Sequence, residues 1–315
     1  MADQMALNKV LKKDLNDFLY PKNDFINGNA MFDSQGSSVH RVEINESQEQ
    51  PNISENATAF PLPVHSTEDA NKSYDIDTLR SEPTYIEDVD ELLTVFNKRA
   101  NELKKHAKAM QTQYYDKVAN LWALEHDAAA IVETTGAAAA VINGDMTGTR
   151  KQLAREDWVK AVSTLAKQDV PTDGLKALVD TAMYWNLYEL DEFILYTNTG
   201  VTDPMITGGA IGELLGVKIY VRNNLGFSYT KTLSAKNGYL NADGSRRVYA
   251  ADDNMAIMMW HPAFVRYSFG NEKIYSEIDS PTLQGSVFST RMRCGAMRSR
   301  IDNKGVCMIV QDWVS

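Results

Sequence analysis

Cysteine is scarce in this sequence, whose 315 residues include only Cys294 and Cys307. Two thiols cannot form the disulfide framework of a small secreted domain, so the sequence favours a reducing compartment such as the cytosol. The first residues, MADQMALNKVLKKDLNDF, mix charges with leucines and lack the apolar run of a signal peptide. No uncharged apolar stretch is long enough to span a bilayer, and we therefore expect a soluble protein with no membrane partner.

Positive charge is also in deficit. The 32 lysines and arginines are outnumbered by 42 aspartates and glutamates, which gives a formal net charge of −10. Broad nucleic-acid-binding surfaces need clustered lysine and arginine, so this balance argues against a transcription factor. It does not exclude a protein that encloses DNA. The length and the hydrophobic fraction of 43% indicate a folded body with a full core.

Motifs of catalysis and nucleotide binding are missing or incomplete. The glycines of ITGGAIGELLG do not follow the G-x-G-x-x-G spacing, and they precede a predicted helix that leads into a strand, the reverse of a dinucleotide-binding unit. GDMTGTRK has the wrong glycine spacing for a phosphate-binding P-loop, and GFSYT lacks the closing glycine of a serine-hydrolase elbow. The five histidines are scattered. We predict no catalytic residue, no cofactor and no metal site.

The first part of the chain contains two extended segments. Apolar residues at helical spacing from Leu7 to Leu19 predict a short helix on a mobile arm, residues 1–38. Residues 39–83 contain two strand-like pieces, VHRVEIN and NATAFPLPVH, joined by a polar loop. The prolines of the second piece restrict it to an edge, because proline donates no ladder hydrogen bond. The pattern predicts a long protruding hairpin.

A long helix is predicted next. Thr84 and Glu87 form a capping box after Pro83, and apolar residues at helical spacing continue to Leu121. At the rise of an α-helix this rod would reach about 50 Å. A helix of that length is expected to lie across a sheet or a neighbouring subunit.

Helices and strands alternate from about residue 127 onward. REDWVKAVSTLAKQ, TAMYWNLYEL and GAIGELL predict helices, whereas GLKALVD, VKIYVRN and NMAIMMW predict strands. SVFSTRMRCGAMRSRI and GVCMIVQDW, joined by the turn signal DNKG, predict a long antiparallel hairpin. The fold class expected from these patterns is α+β.

Local stretches resemble a known family. The segments LWALEHDAAAIVETTGAAAA and TGTRKQLAREDWVKAVSTLAKQDVPTDGLKALVDTAMYWNLYEL, followed by GGAIGELLGVKIYVRNN, are similar to the central region of major capsid proteins of tailed bacteriophages. Their HK97-like shell fold is shared with encapsulins. In this resemblance Gly208, Gly209 and Gly212 allow close packing of a helix and do not contact phosphate.

The resemblance implies a domain plan and a function. The plan is an N-terminal arm (1–38), an extended loop (39–83), a peripheral domain with the spine helix (84–128 and 266–304) and an axial domain (129–265 and 305–315). The implied function is self-assembly into hexamers and pentamers of an icosahedral phage head around double-stranded DNA, with weak, non-specific DNA contact. The implied partners are other copies of the chain, a portal, a scaffold and decoration proteins, with assembly in the host bacterial cytoplasm and a final location in the virion.

Two features of the sequence depart from the family pattern, and two alternative identities stay open. The segment before the hairpin is too short for a fused scaffolding domain, which implies a separate scaffold or none. The hairpin zone has a single lysine, Lys72, so covalent cross-linking between subunits is not expected. The alternatives are an encapsulin-like nanocompartment and an unrelated soluble α/β enzyme.

Arginines are concentrated near the C-terminus of this acidic chain. Residues two apart in a strand share a face, and a one-residue bulge near Gly295 would place four arginines on one face and Met292, Cys294, Met297 and Ile301 on the other. We expect pairing with acidic groups of a neighbouring subunit, although a solvated face and DNA contact remain open. The candidate contact residues are Arg291, Arg293, Arg298 and Arg300, with Glu87, Asp88, Asp90, Glu91, Glu43, Glu46 and Glu49 as partners.

Overall fold

The computed structural model describes residues 25–34, 40–47, 53, 55–56, 69–87, 98–125, 130–141, 145–188, 210–280 and 282–314. The predicted helix between Leu7 and Leu19 lies outside these residues. Of the second predicted hairpin strand, NATAFPLPVH, only Asn56 is described. No helix among the described residues is long and apolar enough to cross a membrane.

The described elements are mostly strands. The strands are β1 (Met31–Phe32), β2 (Arg41–Ser47), β3 (Asp69–Asp75), β4 (Asp77–Arg80), β5 (Thr84–Glu87), β6 (Ile131–Glu133), β7 (Ala138–Ala140), β8 (Thr149–Lys151), β9 (Lys176–Asp180), β10 (Ala210–Leu214), β11 (Val217–Arg222), β12 (Ser228–Tyr229), β13 (Lys236–Asn237), β14 (Ala256–Trp260), β15 (Val265–Ser280), β16 (Gly285–Arg298) and β17 (Val306–Val310). The helices are α1 (Lys98–Trp122), α2 (Arg155–Lys167) and α3 (Thr181–Tyr188). The α+β class is confirmed.

Two sheets organise these strands. A six-stranded sheet has the order β10-β11-β9-β14-β17-β6, and a five-stranded sheet has the order β1-β15-β16-β4, with β5 also pairing with β16. The three central strands of the first sheet, β9, β14 and β17, are buried at every position. Complete burial of this kind requires cover on both faces. The long antiparallel hairpin β15–β16 dominates the second sheet.

One continuous core links the two sheets. α1 packs on β16, and its 25 residues give a rod of about 37 Å. Trp122 at the end of the helix contacts Trp260 of β14, with ring centroids 5.9 Å apart. A second core, which includes Trp158 of α2 and Met183 of α3, covers the other face of the six-stranded sheet. The two sheets therefore form one body with a shared interior.

The N-terminal segment contributes to this body. Phe25 and Ile26 are buried, and Phe25 packs against Tyr115, Trp122 and Trp260. The indole of Trp260 donates to the carbonyl of Asn29 at 2.9 Å. Residues 25–34 thus lie on the core, and the prediction of a mobile arm is wrong for this part of residues 1–38.

The helix α1 is confirmed, but its predicted start is wrong. Thr84 and Glu87 do not cap a helix, since they are the ends of β5, which pairs with β16. The described helix begins at Lys98. The pairing partner of β5 lies about 200 residues further along the chain, and the capping-box pattern carries no information about such a partner.

The glycine-rich stretch also differs from its prediction. GAIGELL does not form a helix, because β10 and β11 pair antiparallel through a two-residue turn at Leu215 and Gly216. Both turn residues have positive φ, 51° and 79°. That is the geometry of a type I′ hairpin turn. Gly212 lies within β10 beside a register shift, and Gly208 and Gly209 lie outside the described residues.

The predicted C-terminal hairpin is wrong as well. β16 pairs with the preceding strand β15, whereas β17 pairs with β14 and β6 in the other sheet. The DNKG segment is a real turn, with Asn303 and Gly305 at positive φ. Its function is to carry the chain from one sheet to the other.

Candidate assembly surfaces

Metal ligands and thiols were the first candidates for a chemical site among the described residues. No group of three or more histidine, cysteine or carboxylate side chains in the described ranges is placed to hold a metal ion. Both thiols are buried, and burial raises the pKa of Cys294 to about 11 and that of Cys307 to about 12. A nucleophilic cysteine needs a lowered pKa and access to solvent. These two side chains are core residues.

The predicted bulge near Gly295 is absent. The β15–β16 register runs without interruption from Arg293 to Arg298, and the nearest shift lies on β15, between Gly270 and Lys273. Arg291 and Arg293 therefore share a face with Gly295 and Met297, and Arg298 lies on the opposite face with Cys294 and Ala296. The four arginines do not form one row.

Arg298 closes the C-terminal end of α1. Its guanidinium donates to the carbonyl of Ala123 at 2.7 Å and to that of Trp122 at 3.3 Å, and Nε donates to Asn303 at 3.0 Å. The last carbonyls of a helix have no intrahelical donor, and a cation at this end opposes the negative end of the dipole. Lys236 adds a second cation, donating to the carbonyls of Asn120 and Ala123. Burial lowers the pKa of both side chains.

Arg300 pairs with Glu46 within the same subunit. Arg300 Nε lies 3.1 Å from Glu46 Oε1, and the backbone amide of Ile301 donates to Glu46 Oε2 at 3.0 Å. Lys72, on the neighbouring strand, donates to the carbonyl of Arg300. We call Glu46, Lys72, Arg300 and Ile301 the hairpin latch. It attaches the β2–β3 hairpin to the turn that follows β16.

A small apolar cluster supports the same hairpin. Val42, Tyr74, Ile76 and Met297 are buried together, with Ile44 packed against them. The outer side of the hairpin is polar, and Glu43 is exposed there. Ile53, one of the few described residues beyond the ladder, is 97% exposed.

The remaining candidates have separate surroundings. Arg293 lies on β16 with Nη2 3.4 Å from Nδ1 of His40. The Arg291 guanidinium lies 5.9 Å from the ring centroid of Tyr275. Glu87 is exposed at the end of β5. Asp88, Asp90, Glu91 and Glu49 lie outside the described residues.

A buried charge cluster on α1 was missed by sequence reasoning. The Asp116 side chain is only 1% exposed and pairs with Arg222 Nη2 at 2.7 Å and with Arg246 Nε at 2.5 Å. Lys117, next in sequence, is buried and pairs with Asp77 of β4. The available signal was the position of Lys117 between Tyr114 and Val118, within the apolar face of the helix.

Exposed apolar side chains gather at the far end of the β15–β16 hairpin. Tyr85, Tyr275 and Leu283 are each more than 40% exposed. They lie on or beside a groove of about 450 Å³ whose other walls include Pro83 and Val287. The Tyr85 hydroxyl donates to the carbonyl of Leu283 at 2.6 Å, which fixes this aromatic side chain at the surface.

Comparison with solved structures identifies the architecture. No family model matches the sequence, and no curated protein matches it. The capsid of cyanophage P-SCSP1u superposes with a TM-score of 0.61 at 16% identity, over 89% of this chain and 85% of that chain. The capsid asymmetric unit of cyanophage Pam1 gives 0.62 at 8% identity over 92% of each chain. A structure from Mycobacterium phage Che8 gives 0.57 at 15% identity over 94% and 90%.

The chain has the HK97-like capsid fold. The likeness extends along 94% of the chain in the Che8 comparison and 92% in the Pam1 comparison. The helix α1 lies within the segment predicted as the spine helix, and the β2–β3 hairpin lies within the segment predicted as the extended loop. The fold expectation drawn from the sequence resemblance is confirmed.

Proposed function

We propose that this protein is the major capsid protein of a tailed bacteriophage, which assembles into the hexamers and pentamers of an icosahedral head around double-stranded DNA. The observation that carries the proposal is the likeness to phage capsid structures over 89% to 94% of the chain. A likeness of this extent supports a structural role for the chain.

Surface features support an assembling subunit. The exposed groove beside Tyr85, Tyr275 and Leu283 is an apolar patch of the kind that marks protein contacts. The β2–β3 ladder is attached to the body along its length, through the apolar cluster around Tyr74 and through Glu46. Repeated subunits in a closed shell occupy several similar environments, and an extended hairpin can absorb the differences among them.

The two sheets support the proposed division into domains. The proposed peripheral domain (84–128 and 266–304) contains β5, α1 and nearly all of the β15–β16 hairpin, and the proposed axial domain (129–265 and 305–315) contains the six-stranded sheet. Two further strands of the five-stranded sheet, β1 and β4, come from the proposed arm and extended loop. The chain crosses between the sheets at Trp260–Val265 and again at Arg298–Val306, close to these boundaries. Portal, scaffold and decoration proteins are proposed partners, and the proposed location is the virion after assembly in the host cytoplasm.

Contacts within the chain guide our choice among the proposed charged contacts between subunits. Arg298 and Arg300 have partners inside their own chain. We therefore propose Arg291 and Glu87, on the five-stranded sheet, and Glu43, on the exposed side of the hairpin, as the better candidates for pairing across a subunit contact. Arginine–carboxylate pairs at such positions fix register and orientation more than they add affinity.

Electron microscopy and sedimentation of the purified protein test the proposal. We expect closed particles or, at lower concentration, capsomers of five and six subunits. An encapsulin-like shell would also be closed, but it would package a protein cargo and would not retain double-stranded DNA when produced with the phage proteins. Only monomers or dimers at high concentration and in crowding agents would refute shell formation.

A further inference from the structure

A basic groove lies between α1 and the loop that follows β13. Its volume is about 510 Å³, within the range of ligand-binding clefts. The helix supplies one wall and the turn around Gly244 supplies the other. The lining residues are Lys105, Lys108, Ala109, Thr112, Gln113, Gly244 and Arg246.

The lining is cationic in a chain of net charge −10. Three of its seven residues are lysine or arginine, and none is acidic. Lys105 pairs with Glu102 of the same helix at 2.6 Å, and Arg246 pairs with the buried Asp116, which also binds Arg222. Lys108 is exposed and has no ion pair among the residues that the structure describes. Lys104, also exposed, extends the positive surface along the helix.

The groove is held in shape before any ligand arrives. Ser245 donates from its backbone and its hydroxyl to Asp243, at 2.9 and 2.6 Å. Asn241 donates to Ser245 across the same turn at 3.0 Å. Asp116 orients the guanidinium of Arg246, and Lys105 and Lys108 lie one turn apart on a rigid helix. Fixed donors cost a ligand less ordering entropy than mobile ones do.

The polar groups of the lining suit phosphate, while the aliphatic stems of its long side chains form much of its surface. Lysines, a guanidinium, a hydroxyl and an amide all donate hydrogen bonds to phosphate oxygens. Protein contacts depend on buried aromatic or large aliphatic anchors, whereas the only apolar side chain in this lining is Ala109. None of the exposed large apolar residues of the described chain lines the groove.

We propose that this groove binds the phosphodiester backbone of nucleic acid and, given the proposed function on which this inference rests, that the ligand is the packaged double-stranded DNA. Two or three phosphate contacts per subunit would be weak alone, since the rest of the surface repels DNA. Repetition of the groove over many copies of the subunit converts weak contacts into retention of the genome. Contacts to phosphate carry no sequence information, as packaging of a whole genome requires.

The test is a comparison of two double variants of the full chain. Lys105→Gln with Lys108→Gln removes two groove charges, and Lys160→Gln with Lys167→Gln removes two exposed charges from α2. Arg246 stays in place because its removal would uncover Asp116. Binding of unassembled protein to a labelled duplex is followed by fluorescence anisotropy over a range of salt concentrations. The slope of log K against log salt is negative, and we expect the groove variant to reduce its magnitude by about 2. The control variant should leave the slope unchanged.

Four other outcomes have defined meanings. Equal affinity and slope in both variants would overturn the proposal. Unchanged duplex binding together with loss of assembly in the groove variant would also overturn it and would assign the groove to an acidic protein segment. If the wild type binds duplex through the groove but never forms particles, the groove stands and the shell function fails. Equal binding of single-stranded RNA would support the phosphodiester chemistry without a preference for DNA.

Discussion

Arg298 stabilises the subunit that carries it, because its guanidinium closes the end of α1 through two main-chain carbonyls and Asn303. Replacement by Gln would leave the carbonyl of Trp122 without its charged donor and that of Ala123 with Lys236 alone, at a cost of about 1 to 3 kcal/mol. We expect Arg298→Gln to lower the melting temperature of the unassembled subunit. Arg41→Gln is the matched control, since Arg41 forms an exposed pair with Asp75 that contributes little. Equal melting temperatures would show that Arg298 is dispensable for folding.

Gly226 and Gly216 allow the backbone strain of a glycine substitution to be distinguished from its packing cost. Both have positive φ, at 78° and 79°, so alanine is strained at either position. A Cβ added at Gly226 would lie 2.5 Å from the Asp116 Cα. A Cβ added at Gly216 would have no atom within 4 Å. Gly226→Ala should therefore lower the denaturation midpoint well beyond the effect of Gly216→Ala, which we put at about 1 kcal/mol. Similar effects of both substitutions would contradict close packing of the 226 loop on α1.

His106 links stability to pH. Burial lowers the pKa of this imidazole below its usual range, and its Nε2 atom is buried without a hydrogen-bond partner among the described residues. The unfolded chain then binds a proton more readily than the folded chain between the lowered pKa and the ordinary value, so stability falls as pH drops through that window. We expect a loss of melting temperature between about pH 7 and pH 5. The loss should be smaller in His106→Gln, and an identical pH profile in that variant would rule His106 out as the cause.

At the scale of elements, sequence patterns succeeded where the determinants are local. The helices α2 and α3 and the strands β9, β11 and β14 follow apolar patterns that their own residues contain. The failures occurred where the partner is distant or the turn is unusual. Leu215 in the left-handed region is a rare turn residue, so the β10–β11 hairpin was mistaken for a helix. The pairing of β16 with β15 and of β17 with β14 is decided by the packing of two sheets, which a turn signal between β16 and β17 cannot reveal.

The candidate contact residues show the same contrast between features that are local in sequence and features that depend on the fold. The concentration of arginines was visible in the sequence, and the pairing of one of them with Glu46 was foreseen as a type of contact. Its location within one subunit was not, because proximity between the β2–β3 hairpin and Arg300 depends on the fold. The basic groove was also invisible, since it joins Lys105 to Arg246 across more than 100 residues of sequence.

The hairpin latch gives an element-scale prediction. Glu46→Ala removes the acceptor of the Ile301 amide and one of the two carboxylate partners of Arg300, the other being Asp302, and we expect faster hydrogen exchange at Ile301. The melting temperature should change little, because a half-exposed ion pair contributes about 1 kcal/mol or less. Glu43→Ala, on the exposed side of the same strand, should leave exchange at Ile301 unchanged. If both variants behave alike, Glu46 does not hold the hairpin to the body.

At the scale of the whole molecule, we expect the outer part of the hairpin to be required for assembly but not for folding. The ladder between β2 and β3 and its cluster around Tyr74 are anchored on the subunit's own body, while residues 48–68 connect the two strands beyond them. Replacing residues 48–68 by Asn-Gly, a two-residue hairpin turn, keeps the ladder and removes only the outer part. The described residues of the two main cores lie on other elements of the chain, and we expect a folded, soluble subunit with a nearly unchanged melting temperature. We also expect it to form no stable closed particles, since a shell requires contacts beyond the subunit's own core. Sedimentation velocity and electron microscopy of this variant beside the wild type provide the measurement, with Ser73→Ala, at an exposed position of β3, as a control for a minimal change in the hairpin. Normal particles from the shortened protein would show that the outer hairpin does not bridge neighbouring subunits.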